Sequence, residues 1–165
     1  MRLVSTSVVL LLAISAMGSG QTPTGPPDLV GTWQLVSTRQ ILADGSVRPD
    51  PDLGDHPAGY MIYDRTCRMC TVFSNSDRPR WRSPLPTNAE AHALFDKMVV
   101  YCARYRVDPT GLKIVFDMEF GHSPNLTGTT RERSFELAGD SLTLYPTPLP
   151  TGVTKWSVNL KRVGR

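Results

Sequence analysis

Apolar and polar residues alternate with a period of two through most of the chain after residue 30. A half-buried strand requires this pattern, because successive side chains point to opposite faces of a sheet. Eight segments carry it: residues 32–39, 59–64, 68–74, 100–107, 112–119, 129–137, 141–145 and 154–163. Asp64-Arg65-Thr66-Cys67, Asp108-Pro109-Thr110-Gly111 and Ala138-Gly139-Asp140 supply turn chemistry and predict three hairpins. One segment has a helical period instead. Thr87 and Glu90 make a capping box, and Ala91, Leu94, Phe95 and Met98 form one apolar stripe. The stripe predicts a short helix packed as a seal against the sheet. Residues 48–57 and 146–150 are rich in proline, which cannot pair inside a central strand, and predict loops at the rims. Eight antiparallel strands joined mainly by hairpins predict an all-β protein, an eight-stranded up-and-down barrel with one short helix.

Alternation also assigns the faces. In residues 129–137, Thr130, Glu132, Ser134 and Glu136 are uniformly polar and read as the solvent side. The opposite face carries Phe135 and Leu137 inward and brings Arg131 and Arg133 with them. The same reasoning turns Tyr101, Ala103, Tyr105 and Val107 inward, with Leu142 and Leu144. Arg104, Arg106, Asp117 and Glu119 fall outside. An apolar interior with two guanidinium groups and two phenols suits a small amphipathic ligand with a carboxylate-like head. The candidate ligand-binding residues are therefore Arg131, Arg133, Tyr101, Tyr105 and Phe135. A competing reading pairs Arg131 or Arg133 with Asp117 or Glu119, or leaves them in water at the rim, because a buried arginine needs a partner.

The first residues break the pattern. Arg2, an apolar run over residues 8–14 and small residues over 15–20 have the layout of a secretory signal peptide. Residues 21–28 then read as a flexible leader and 29–165 as the barrel domain. The apolar run falls short of the roughly 20 residues a membrane span needs. A secreted or periplasmic protein with no stable membrane anchor after cleavage is expected. The full chain has 165 residues, 40% hydrophobic and 20% charged, which fits one globular domain. Its net charge of +3 is scattered. The densest basic stretch, Arg78-Pro79-Arg80-Trp81-Arg82, is short and reads as a solvated loop rather than a nucleic-acid patch.

Three cysteines, Cys67, Cys70 and Cys102, leave at least one thiol outside any internal disulfide. Cys67-Arg68-Met69-Cys70 has redox spacing but sits in a hairpin, without the βαβ setting of a redox site. Zinc would need further ligands from scattered histidines, so no metal is expected. A disulfide between Cys70 and Cys102 is preferred because both lie in strands. No cofactor motif is present. His56, His92 and His122 read as surface residues, and no nucleophile elbow or carboxylate pair marks a catalytic residue. Oligomeric state leaves no sequence signal.

Leu29-Val30-Gly31-Thr32-Trp33 resembles the Gly-x-Trp start of lipocalins, and Arg162 resembles the arginine that packs across that tryptophan. Further blocks follow in order over nearly all of the presumptive mature chain. They include Asp44-Gly45-Ser46-Val47, His56-Pro57-Ala58-Gly59-Tyr60, Asp77-Arg78-Pro79-Arg80-Trp81, Pro124-Asn125-Leu126-Thr127-Gly128 and Gly139-Asp140-Ser141-Leu142. Together they resemble the bacterial and fungal lipocalin-like domain family. The resemblance implies a lipocalin-type barrel in which Gly31, Trp33 and Arg162 are structural, Trp33 plugging the floor and Arg162 covering it by a cation–π contact. It implies little about activity, since most members have none assigned. The chain departs from the family at residues 114–119, which lack the usual histidines, and at Cys67, where glycine is usual. Three functions stay open: a binding protein for a small hydrophobic or amphipathic molecule, anionic ones included; a cyclase or isomerase using Tyr and Arg in the cavity; and an interaction module whose barrel is filled by its own side chains.

Overall fold

The computed structural model describes residues 28–164. The signal peptide and nearly all of the leader expected from the sequence lie outside these residues. The elements are β1 (Gly31–Leu42), β2 (Val47–Arg48), β3 (Pro57–Tyr63), β4 (Arg68–Asn75), α1 (Asn88–Phe95), β5 (Met98–Val107), β6 (Lys113–Gly121), β7 (Thr130–Ala138), β8 (Ser141–Pro146) and β9 (Val153–Gly164). From β3 to β9 each strand pairs with the next, β1 pairs with β3, and β1 also pairs with β9. Eight antiparallel strands thus close into the expected barrel. The two residues of β2 fold back on the end of β1 and are too few to show alternation. Proline occurs where a missing N–H is tolerated: Pro57 opens β3 opposite Asn75, and Pro146 closes β8 opposite Arg133. The strands therefore reach one residue into segments the sequence assigned to loops.

One end of the barrel is closed by Trp33, which is fully buried. Its Nε1–H donates to Leu29 O at 2.9 Å. The Arg162 guanidinium carbon lies 4.0 Å from the centroid of the Trp33 ring. The same guanidinium donates to the carbonyls of Val30 and Asp28. The lead-in to β1 is thus strapped across the floor, with Leu29 buried beneath it.

The other end is covered by the β2–β3 loop, residues 49–56. Asp50 is buried and accepts from the N–H groups of Asp52 at 2.9 Å and Leu53 at 3.2 Å. Its own N–H donates to Thr38 Oγ1 at 3.3 Å. These bonds let the loop place Leu53 within the apolar core. Lys97 Nζ, at the start of β5, donates to Pro51 O at 2.9 Å and ties the loop to the far rim. The proline-rich segment is a plug rather than a plain rim loop.

The helix has its capping box: Thr87 N–H donates to Glu90 Oε2 at 2.8 Å, and Glu90 N–H to Thr87 Oγ1 at 3.2 Å. It does not seal the barrel, which corrects the sequence expectation. None of its residues is buried, and Met98 belongs to β5. Phe95 touches the rim through the ring of His122, centroid to centroid 4.9 Å. The mouth is already occupied by Leu53 and its loop, so a two-turn helix has no core left to cover. Cys70 and Cys102 face each other across β4 and β5 and are disulfide-bonded. Cys67 is a free thiol in the left-handed region, φ 62°, in a turn held by Asp64, whose carboxylate accepts from Thr66 and Arg68 N–H.

Candidate functional site

Between floor and plug, the inward positions of β3, β4, β5 and β7 bring polar groups into an otherwise apolar core. Register sets Thr71 of β4 opposite Tyr101 of β5, and Phe116 of β6 opposite Arg131 of β7. Tyr63 comes from the last residue of β3. The hydroxyls of Tyr63, Thr71 and Tyr101 are buried and have no hydrogen-bond partner among the described residues. Each such group costs roughly 1–3 kcal/mol relative to a satisfied one. The Arg133 guanidinium carbon lies 5.6 Å from the Tyr101 ring centroid and 5.5 Å from that of Phe116. Among the described residues no ion pair includes Arg131 or Arg133. Both are half-buried, as is Phe135.

The carboxylates that the sequence offered as partners lie on the outer face and are committed there. Asp117 takes Arg106 at 2.5 Å and the Thr130 hydroxyl at 2.8 Å, while Glu119 takes Arg104 at 3.2 Å and Arg68 at 3.6 Å. The reading that pairs Arg131 or Arg133 with them is therefore overturned.

The structure places Tyr101 and Arg133 in contact, with Arg131 one inward position along the same strand. Tyr105 packs edge-on against Tyr63, ring centroids 4.8 Å apart, but its hydroxyl is turned away from the cluster and donates to Asp64 O at 2.9 Å, at the floor end. Tyr63 and Thr71 take the places that sequence reasoning did not fill. The strand alternation of residues 59–64 could have pointed to Tyr63, but both faces of that strand are apolar or aromatic and give no preference.

Burial pushes the Tyr63 phenol well above its ordinary range, and Tyr101 nearby adds to this, while Arg133 works against it. Burial likewise raises Tyr105, to about 12, with Cys67 and Asp64 contributing. At neutral pH the Tyr63 phenol is therefore an uncharged donor near the Arg133 guanidinium. A phenol whose folded pKa is raised contributes stability that is present below its unfolded value, about 10, and lost as pH climbs through the folded value. Unfolding free energy by urea titration is therefore expected to fall as pH rises from about 10 toward 12, and less steeply in Tyr63→Phe. A flat profile in that window would contradict the assignment of Tyr63 and Tyr105 as buried and neutral.

Beside the plug, α1 and the rim residues Met98, Val99, His122 and Leu126 border an open depression of about 990 Å³. It lies next to Val99, which packs against the core. His122 Nδ1 lies 3.2 Å from Val100 N and 3.1 Å from Val100 O, which fixes the ring against the β5 backbone.

A family model described as lipocalin-like domain matches residues 30–160. No curated protein matches the chain.

Proposed function

Because the chain belongs to the lipocalin-like domain family, whose barrel is suited to holding small ligands, we propose that it binds a small amphipathic anion with the head group inside the barrel. One observation carries this reading: among the described residues three buried hydroxyls have no partner, and Arg133, which faces the ring of one of them, Tyr101, forms no ion pair. All four groups can donate, and an acceptor head such as a carboxylate would satisfy them together. The apolar tail would run along Phe73 and Met118 toward the mouth, displacing Leu53 and its loop. The packed floor around Trp33 limits how deep it reaches. Export, read from residues 1–20, belongs to the same proposal, and the disulfide supports it because such bonds persist in oxidising compartments.

Dodecanoate and dodecanol share a chain and differ in head group, so calorimetric titration of both tests the idea. Arg133→Ala is expected to weaken dodecanoate binding by on the order of tenfold or more, and dodecanol little. Arg131→Ala should act in the same direction and less strongly, because Arg131 makes no ring contact. Equal weakening of the two probes would remove the head-group role.

A further inference from the structure

The basic stretch that the barrel does not use shapes a second concavity, on the outside of the molecule. The connection from β4 to α1 runs past one side of the helix and encloses with it a groove of about 640 Å³, within the range of roughly 300–1,000 Å³ typical of small-molecule sites. Its apolar wall is Trp81, Pro79, Ala89, Ala93 and Leu94. Trp81 is 44% exposed, which is unusual for so large a ring. Arg78, Arg80, Arg82 and Lys97 line the same groove, with Asp77 and Glu90 as its two carboxylates.

Both carboxylates are already engaged. Asp77 Oδ2 lies 2.9 Å from His56 Nδ1, and Glu90 closes the helix cap with Thr87. Two of the cations are engaged as well: Arg78 Nε donates to Asn75 O at 3.0 Å, and Lys97 holds Pro51 O. Arg80 and Arg82 form no ion pair among the described residues. The groove therefore combines an apolar wall bearing an open indole with two guanidinium groups that have no counter-ion. The helix N-terminus itself offers nothing to a ligand, since its capping box is closed.

We propose that this groove is a separate binding site for a small organic anion with an aromatic or acyl body, the body against Trp81 and Leu94 and the anionic group on Arg80 and Arg82. It shares no residue with the cluster around Tyr63 and Arg133. An indole face and a forked guanidinium recognise this combination directly, by stacking and by paired hydrogen bonds.

Anilinonaphthalene sulfonate and its uncharged counterpart phenylnaphthylamine are suitable probes, followed by their fluorescence on the full domain. The double variant Arg80→Gln with Arg82→Gln changes exposed side chains only and should fold as the parent does. It is expected to weaken the sulfonate by about tenfold and leave the neutral dye within about twofold. Trp81→Ala should weaken both. Arg133→Ala, inside the barrel, should change neither. Unchanged sulfonate binding in the double variant would overturn the proposal. So would an equal loss for the two dyes, or a loss confined to Arg133→Ala, which would place the dye in the barrel.

Discussion

Trp33→Ala is expected to destabilise the domain by about 3–5 kcal/mol, the range for removing a fully buried large aromatic. The side chain is 0% exposed, so the cavity left behind has no solvent-facing wall through which to relax cheaply. Two further contributions point the same way. The hydrogen bond to Leu29 O disappears, and the Arg162 guanidinium loses the ring it lies on, although it keeps its two carbonyl acceptors. Domains of this size are stable by about 5–15 kcal/mol, so the variant would sit close to unfolding. Trp33→Phe is the instructive partner, because it keeps a ring beneath Arg162 and loses only the indole N–H and some volume. It should cost roughly half as much. Urea midpoints for the three proteins measure the series. A loss under about 1 kcal/mol for the alanine variant would mean that Trp33 is not what closes the floor.

Gly59→Ala is expected to cost about 2–4 kcal/mol, although it adds a single methyl group. Gly59 lies opposite Phe73 in the β3–β4 ladder with φ 132°, a conformation that side chains rarely adopt. A Cβ there would stand 1.9 Å from Val72 O and 2.9 Å from Phe73 Cα. Both obstacles are backbone, so relief requires β3 and β4 to separate at this pair, two residues along β4 from Thr71. Gly111→Ala makes the control. Its φ is also positive, at 72°, but nothing lies within 4 Å of the added atom, and only the conformational cost of about 1 kcal/mol applies. Thermal or urea unfolding of both variants separates the close approach from the backbone angle. Equal losses would show that the close approach has no energetic weight.

The architecture was legible because most of its strands have one wet face. β7 shows why: exposed Thr130, Glu132, Ser134 and Glu136 alternate with half-buried Arg131, Arg133, Phe135 and Leu137, and the polar set identifies the outside without ambiguity. β3 lacks that contrast. Tyr60 and Ile62 are each 48% exposed on the outer face, while Met61 and Tyr63 are buried on the inner one. Composition alone cannot orient a strand that is apolar on both sides, and this hid Tyr63. The helix misled for a related reason. A stripe of four apolar residues says that a face could be buried, and the plug formed by Leu53 and Asp50 left nothing for it to be buried against. That plug depends on an aspartate, Asp50, whose N–H donates to Thr38 Oγ1 and whose carboxylate accepts from two backbone N–H groups, a tertiary arrangement with no local periodicity to announce it. The outer groove was missed differently. Its arginines were visible as a basic stretch, but the helix that makes them one wall of a concavity comes into place only in three dimensions.

The seam between β1 and β9 joins Thr32 to Gly164, nearly the two ends of the described chain. Barrel closure is therefore a contact of very high sequence separation, and the entropy of that loop has to be met before the seam repays it. Hairpins such as β3–β4 and β5–β6 can form early and locally, but the ring remains an open, curling sheet until the final strand arrives. During that interval β1 and β8 each present a row of unpaired backbone groups, the geometry on which strands of other molecules add. The twelve residues of β9 thus act as a terminator for sheet growth. Slow folding and a sensitivity to C-terminal truncation out of proportion to the apolar surface removed are the kinetic signature of a fold zipped shut at its own ends.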